Sequence, residues 1–464
     1  MLLNMKKKIC IIGAGIGGLT AGALLIQKGY LVDIFEKETT VGGRAVSIGM
    51  SSQTIDSYKQ LLNRFNTFIA FSEPPLEEIF AKKMFEEYTL DLGFHMIGGG
   101  IIQKLKNIIM DYYQNITIYE SRLFEQKNNH FGYFVTTIDK LSMLPNILRL
   151  LLSGEKTMKE LDLISITETI KKYGKGKMKN VLEVNPRLIS TINNLDLIST
   201  GEVFRTQKDM KLRGVNYPKD GVLKISQTIA AYIEKNGGKI HLNSPVTKII
   251  INNKRAEGVI LNDKKYFYDS IVSNILVQKL FTIADEHQFP DEYVTMIKGL
   301  EGTGSLCAYY SLKKIDQRLL GKTFIFIERD LGVDGNDAAG MIDFISAKAE
   351  TGLSAPSQYL VQAYVICTPK EARDKNILNK LKKALDKNLE RIIPDFHSQL
   401  QWAIYPATWH LDGVAKTIDN IKPDIQTPVE NLYMIGDCVK APGIGINCAI
   451  NSAQIIQKII PISD

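Results

Sequence analysis

The spacing of apolar and polar residues predicts a chain that opens on a buried strand. Residues 8–12 (Lys-Ile-Cys-Ile-Ile) form an apolar run ended by glycine, the pattern of a short strand inside a parallel sheet. A helix is predicted from about Gly15 to Lys28, stopped by Gly29, and a second strand over Leu31–Phe35. Together they make one β-α-β unit. Apolar residues at 101, 102, 105, 108, 109 and 112 have helical spacing. The stretch 141–152 is almost continuously apolar, with Pro145 and Arg149 interrupting it; its length suits a buried or interfacial helix rather than a membrane span. Val222, Ile225, Ile229 and Ile233 share one helix face, ended by Asn236-Gly237-Gly238. Short strands follow at 240–242, 246–251, 256–261, 265–268 and 270–273, with turns at Asn252-Asn253 and Asn262-Asp263. Strands at 323–327 and 359–367 precede a helix with apolar residues at 377, 378, 381, 385, 389 and 392, closed by Pro394. A strand at 432–435, a Gly-rich turn and a helix to about Ile459 complete the pattern.

Chemistry enters at the junctions of these elements. In Gly13-Ala14-Gly15-Ile16-Gly17-Gly18, Gly13 permits the tight turn out of the strand, Gly15 lets backbone approach a pyrophosphate, and Gly18 lets helix and strand pack closely. Phosphates are then expected on the N–H groups at the helix start, around Ile16 and Gly17. Glu36 ends the next strand, where a carboxylate accepts from an adenosine ribose and repels a 2′-phosphate; Lys37 follows it. Gly42-Gly43-Arg44-Ala45 comes six residues after Glu36 and points to FAD rather than NAD, with Gly43 allowing close approach and Arg44 neutralising phosphate or packing on the flavin edge. At the far end, a buried strand terminates in Gly436-Asp437, and Gly445-Ile446 opens a helix. Asp437 is expected on ribityl hydroxyls and the Ile446 helix start near the negative charge of a reduced isoalloxazine.

Composition narrows the class only a little. Hydrophobic content of 45% and charged content of 23% over 464 residues fit a globular protein of two domains. The net charge of +7 fits weak attraction to anionic lipid or substrate and is too diffuse for nucleic acid. Five scattered cysteines, with no CxxC or Cys/His spacing, predict a reducing cytoplasm and no metal site. Lys6-Lys7-Lys8 before an uncharged stretch imitates a targeting segment, but glycines at 13, 15, 17, 18 and 22 favour the nucleotide turn.

The runs 9–45, 217–273 and 431–454 resemble the FAD-dependent superfamily of amine oxidases, protoporphyrinogen oxidase and phytoene desaturases. They are most similar to its phytoene dehydrogenase-like branch of carotenoid desaturases, carotenoid isomerases and retinol saturase. Three runs carry the closer likeness: Tyr217-Pro218-Lys219-Asp220-Gly221, His241-Leu242-Asn243-Ser244-Pro245-Val246 and Asp91-Leu92-Gly93-Phe94-His95-Met96-Ile97-Gly98. The resemblance implies that the Val246 backbone meets the adenine and that Gly93 to Met96 line the flavin and a substrate cavity. Departures are Lys440-Ala441-Pro442-Gly443-Ile444-Gly445 where desaturases carry His-Pro-Gly-Gly-Gly, and Asp220-Gly221 in place of Gly-Gly. Of an amine-oxidase aromatic pair only Trp409 is near the right place.

The fold class expected is α/β: a glutathione-reductase-like, Rossmann-type FAD-binding domain in segments 1–100, 215–275 and 425–464. It is interleaved with an α+β substrate domain of 101–214 and 276–424, a mixed sheet with helices over a hydrophobic cavity. The expected reaction is hydride transfer between flavin N5 and a hydrophobic, isoprenoid or lipid-like substrate. With no second strand-GxGxxG-helix unit, electrons pass to or from a diffusible partner: oxygen, a quinone or a redox protein. His95 is the candidate acid/base or orienting residue, and His410 beside Trp409 a weaker one. Three other functions share the fold: flavin-dependent isomerisation without net redox change, amine oxidation, and prenyl binding without a flavin as in Rab escort and GDP-dissociation-inhibitor proteins. Glu36, Arg44 and Asp437 speak against the last. The expected location is cytoplasmic, with peripheral contact at the inner face of a membrane through the 141–152 segment.

Overall fold

A computed structural model describes residues 6–127, 130–152, 154–210, 215–419 and 422–460. The apolar run Lys8–Ile12 is the central strand of a five-stranded parallel sheet. Leu31–Phe35 and then Lys239–His241 lie on one side of it, Ser270–Ser273 and then Leu432–Met434 on the other. Three stretches far apart in sequence thus hydrogen-bond into one sheet; Ile271, for example, stands opposite Leu432. The helix Ile16–Gln27 packs between helices Leu223–Lys235 and Ile446–Ile459, which is why it is uncharged and buried from Ile16 to Leu25. The stretch that imitates a targeting segment is therefore core. Val222, Ile225, Ile229 and Ile233 face the same core. The hairpins Lys248–Asn252, Arg255–Leu261 and Lys264–Phe267 form an antiparallel appendage. Its first turn is centred on Asn253-Lys254, one residue later than predicted, because those two hold the positive φ such a turn needs.

The second large sheet is eight-stranded and mixed. Its order is Thr67–Glu73, Leu400–Thr408, Gly304–Leu312, Tyr359–Cys367, Ala338–Asp343, Thr323–Glu328, Leu123–Lys127 and His130–Tyr133, all antiparallel except the pair Thr323–Glu328 with Leu123–Lys127. Thr67–Glu73, from within the 1–100 segment, forms one edge of this sheet and not part of the parallel one. The expected boundary at 214–215 falls beside residues 211–214, outside the described residues. One face is covered by the amphipathic helix Lys375–Ile392, started by Asp374, whose carboxylate accepts from the N–H groups of Asn376 and Ile377 at 2.8 and 3.2 Å. Helix Lys177–Ser190 lies over strands Thr323–Glu328 and Ala338–Asp343, and with its helical neighbours encloses a cavity.

Two helices differ from their predicted form. The helix over 101–112 is broken at Ile109 into Gly99–Ile108 and Met110–Tyr113, which lets Ile108 and Ile109 both enter the core. Thr137–Leu151 continues through Pro145, which sits on its exposed side; the Arg149 side chain lies outside what is described. Among the described residues no helix is long and apolar enough to cross a membrane.

Candidate cofactor and substrate site

The N-terminal glycine turn is built against backbone. Gly13 adopts φ +98° and its N–H donates to the Phe35 carbonyl at 2.8 Å. A Cβ on Gly18 would stand 2.1 Å from the Gly13 carbonyl oxygen, so strand and helix meet there with no room for a side chain. Gly15 precedes the helix without a capping side chain, leaving first-turn N–H groups that a helix cannot satisfy internally. Gly13, Gly15, Ile16 and Gly17 line a cavity of about 2340 Å³. A helix start of this kind holds anions. The Glu36 carboxylate is buried and ties the turn to the second strand, accepting from the N–H groups of Ala14 at 2.7 Å and Glu38 at 3.0 Å. Lys37, Pro245 and Val246 line the cavity with it; the Lys37 ammonium is largely exposed, 3.8 Å from Glu38. Gly42 donates to the Ala14 carbonyl at 2.9 Å, and a Cβ on Gly43 (φ +58°) would come within 3.3 Å of Gly15 Cα.

Arg44 joins the two ends of the chain. Its Nη2 donates to both carboxylate oxygens of Asp437 at 2.6 Å, and its Nη1 to the carbonyls of His410 and Leu411 at 3.0 and 3.1 Å. The guanidinium predicted to meet phosphate or the flavin edge is thus engaged by Asp437 on the cavity wall. Asp437 also accepts from the Gly413 N–H at 2.7 Å, and its own carbonyl accepts from Lys422 Nζ at 2.6 Å. Burial disfavours ionisation of Asp437, but the charge and hydrogen bonds of Arg44, the Gly413 N–H and Lys422 outweigh it and hold the carboxyl at about 2. Gly436 (φ +111°) precedes it, and Gly445 (φ +53°) opens helix Ile446–Ile459 into the same cavity, again with no capping side chain.

His95 lines the cavity beside Phe94 and Met96, its Nδ1 2.9 Å from the Gly93 carbonyl. Burial lowers its pKa, with Asp91 opposing and Arg44 adding, so the ring is neutral at pH 7. The Gly93 carbonyl assigns the proton to Nδ1 and leaves Nε2 as an acceptor. The loop is fixed from behind by Tyr309, whose hydroxyl donates to the carbonyls of Asp91 and Gly93 at 2.6 and 3.1 Å. Trp409 packs against Phe68 with Arg373 over its ring and does not line the cavity; His410 contributes its backbone carbonyl to Arg44.

Two residues escaped the sequence reading. Asn274 follows strand Ser270–Ser273 and sits among the glycines: Cβ atoms on Gly15 and Gly17 would lie 3.0 and 2.6 Å from its side-chain amide, and one on Gly436 3.1 Å from its Oδ1. Asp412 lies on the wall next to Gly413. The same cavity has an apolar arm lined by Phe134, Met143, Leu161, Leu182, Phe204 and Met341, with polar Asn185 and Gln207 also on its wall.

The residues fit FAD. The cradle is one that a Cβ would fill, two helix starts without capping side chains open into the same space, and that space is one cavity with the apolar residues around Phe134 and Leu182. A parallel sheet whose glycine turn is closed by the carboxy-terminal strand, over a shared apolar cavity, defines a Rossmann-type flavoprotein oxidoreductase. The chain belongs to the flavin containing amine oxidoreductase family, whose pattern matches residues 16–455. It is similar to the 4,4'-diapophytoene desaturase (4,4'-diapolycopene-forming) of Methylomonas sp, 28% identical over 268 residues, 55% of this chain and 50% of that one. It is also similar to the 1-hydroxycarotenoid 3,4-desaturase of Flavobacterium sp. (strain P99-3), 23% identical with 98% of this chain and 99% of that one covered. The first likeness therefore spans half of its relative's length. An oxidoreductase from Methanosarcina mazei has the same fold, with a TM-score of 0.70 at 18% identity over 97% of this chain and 100% of that one. The protein is an FAD-dependent oxidoreductase.

Proposed function

We propose that this oxidoreductase moves hydride between a carbon of an isoprenoid or similarly long apolar lipid and the flavin, as a desaturase or saturase. One observation carries the reading: the glycine cradle and the apolar arm are a single continuous cavity. FAD, when bound, supplies the hydride-exchanging N5. The chain does the rest. The helix start at Gly15–Gly18 holds the pyrophosphate, Glu36 and Lys37 meet the ribose end, and the Val246 backbone meets the adenine. Gly43 and Arg44 cover the dinucleotide, Gly436 and Asp437 meet the ribityl chain, and Gly445–Ile446 faces the isoalloxazine. The apolar arm orients the lipid and excludes water. Electrons are exchanged with a diffusible partner: oxygen, a quinone or a redox protein. The test is lipid extraction and mass spectrometry of protein purified from its native host, followed by anaerobic mixing of that lipid with the holoenzyme. Stoichiometric change in the flavin absorbance is expected; turnover with no such change would assign isomerisation instead, and a co-purifying amine would replace the lipid.

His95, neutral and held by Gly93, orients the substrate through Nε2. His95→Ala is expected to keep its flavin and lose about 100-fold in kcat; unchanged kcat would remove His95 from the site.

The membrane supplies such a substrate. Helix Thr137–Leu151 exposes Ile138, Leu141, Leu144 and Leu148, and Leu152 continues the stripe, while Met143 is buried and, with Leu144, lines the cavity. Exposed Lys140, Lys156 and Lys159 lie along the same region. An apolar stripe with cations at its margin lies in the interface of an anionic bilayer. Leu141→Asp/Leu148→Asp is expected to weaken co-sedimentation with anionic phosphatidylglycerol vesicles about 100-fold or more, since each leucine transferred contributes roughly 1.5–3 kcal/mol. Equal sedimentation would place the contact elsewhere.

A further inference from the structure

Two buried carboxyls of the cavity wall, Asp437 and Asp412, stand in opposite settings. Asp437 is clamped by Arg44. Asp412, only 6% exposed, forms no ion pair among the described residues. Its Oδ2 accepts from the Thr191 hydroxyl at 2.7 Å, and its N–H donates to Thr303 Oγ1 at 3.0 Å. Its Oδ1 lies 3.0 Å from where a Cβ on Gly445 would stand, at the start of helix Ile446–Ile459. Thr191 ends helix Lys177–Ser190, whose Val181, Leu182, Leu188 and Ile189 line the apolar arm. Asp412 therefore bridges the cofactor half of the cavity and its substrate half, with one oxygen tied back and the other at the helix start that opens on the cavity. The charged or titratable groups facing it are Asp437, Arg44, Lys422 and Tyr364. The first three are committed to one another: Arg44 to the Asp437 carboxylate, Lys422 to the Asp437 carbonyl. Burial, then the Asp437 charge, raise the Asp412 carboxyl to about 6, against the Thr191 hydrogen bond and the charges of Lys422 and Arg44. Neighbouring carboxyls whose environments drive them apart take different parts in a reaction, one staying ionised and one exchanging protons.

We propose that Asp412 is the proton-exchanging residue of this cavity. The assignment rests on the hydride-transfer reading above. Bound FAD would accept hydride from one C–H bond of the substrate; the Asp412 carboxylate takes the proton of the adjacent C–H bond, whose electron pair forms the new double bond, and later releases that proton to water. Two electrons and one proton leave with the hydride, and the second proton with Asp412. In the saturating direction each transfer reverses. His95, by contrast, orients.

The test uses the full-length holoenzyme. Infrared difference titration is expected to show a protonated-carboxyl band with a midpoint at about 6. Asp343, buried in the eight-stranded sheet, is also raised to about 6 and contributes to that band, so Asp412→Asn should lose the Asp412 share of its intensity, and Thr191→Val, which loses a hydrogen bond to the charged form, should move that share to higher pH. Asp412→Asn should retain FAD by absorbance, lose about 100-fold in the rate of flavin reduction by the lipid substrate, and lose the rise of that rate with pH. A structural role for Asp412 would leave the pH profile intact. The proposal is overturned by a band of undiminished intensity in Asp412→Asn, by a titration that Thr191→Val leaves unmoved, or by a wild-type pH profile in Asp412→Asn. If the lipid reading itself fails, no variant's flavin is reduced, yet the infrared titration still decides whether Asp412 holds the proton.

Discussion

Asp437→Ala is expected to give a protein without flavin colour. The carboxylate is the single group that holds both Arg44, by two 2.6 Å hydrogen bonds, and the Gly413 N–H, and so joins the amino-terminal glycine segment, the 409–413 loop and the carboxy-terminal strand. Its loss leaves the guanidinium, 29% exposed on the cavity wall, with two carbonyl partners, and the loss of charge-assisted hydrogen bonds costs about 1.5–3 kcal/mol. The visible flavin absorbance of the purified variant and its denaturant midpoint measure the two effects separately. Acid unfolding adds a signature. Because the native carboxyl is held at about 2 against an ordinary 3.8, its contribution is complete above about pH 4 and is lost as pH falls toward 2. The alanine variant should lack that part of the acid limb. Stoichiometric FAD in Asp437→Ala would show that the carboxyl does not serve the cofactor.

The glycine turn yields the second large effect, in two distinguishable forms. Gly18→Ala places a methyl 2.1 Å from the Gly13 carbonyl oxygen, a backbone atom that cannot rotate away, so helix and strand must separate. The expected loss is roughly 3 kcal/mol, the upper end for overpacking, and the variant should be poorly folded as well as colourless. Gly15→Val meets first the side-chain amide of Asn274 at 3.0 Å, which can move, but its branches stand over the first-turn N–H groups. That variant should fold with a near-native unfolding midpoint and still bind no FAD. Thermal unfolding combined with absorbance distinguishes the cases; a yellow Gly15→Val protein would dismiss the pyrophosphate assignment.

How far the site was legible in sequence depends on the distance over which each requirement acts. Gly13 is required by its own positive φ, Gly18 by the Gly13 carbonyl in the same turn, and Glu36 by the end of the adjacent strand, so spacing exposes them, whereas the Asn274 amide that crowds Gly15 comes from far along the chain. Asn274 follows the predicted strand 270–273 but carries no local signal of its own, and its place among the glycines exists only because Ser270–Ser273 pairs with Lys8–Ile12. The Arg44–Asp437 bond is equally invisible: each residue reads as a ligand to the cofactor, and only the closed sheet brings them together. Asp412 lies in a loop without periodicity. Periodicity placed the helix over 101–112 but not its break at Ile109, which answers to packing from outside the helix. Thr67–Glu73 joins the eight-stranded sheet through partners near residue 400, a pairing no local signal encodes.

The parallel sheet also constrains when the protein can become yellow during its synthesis. Leu432–Met434 is its last strand to leave the ribosome, and Arg44 waits for Asp437 until then. A nascent chain halted before that point carries the complete glycine turn but only part of the cradle. Flavin loading thus waits for Asp437 to join the sheet, however early the glycine turn itself has formed.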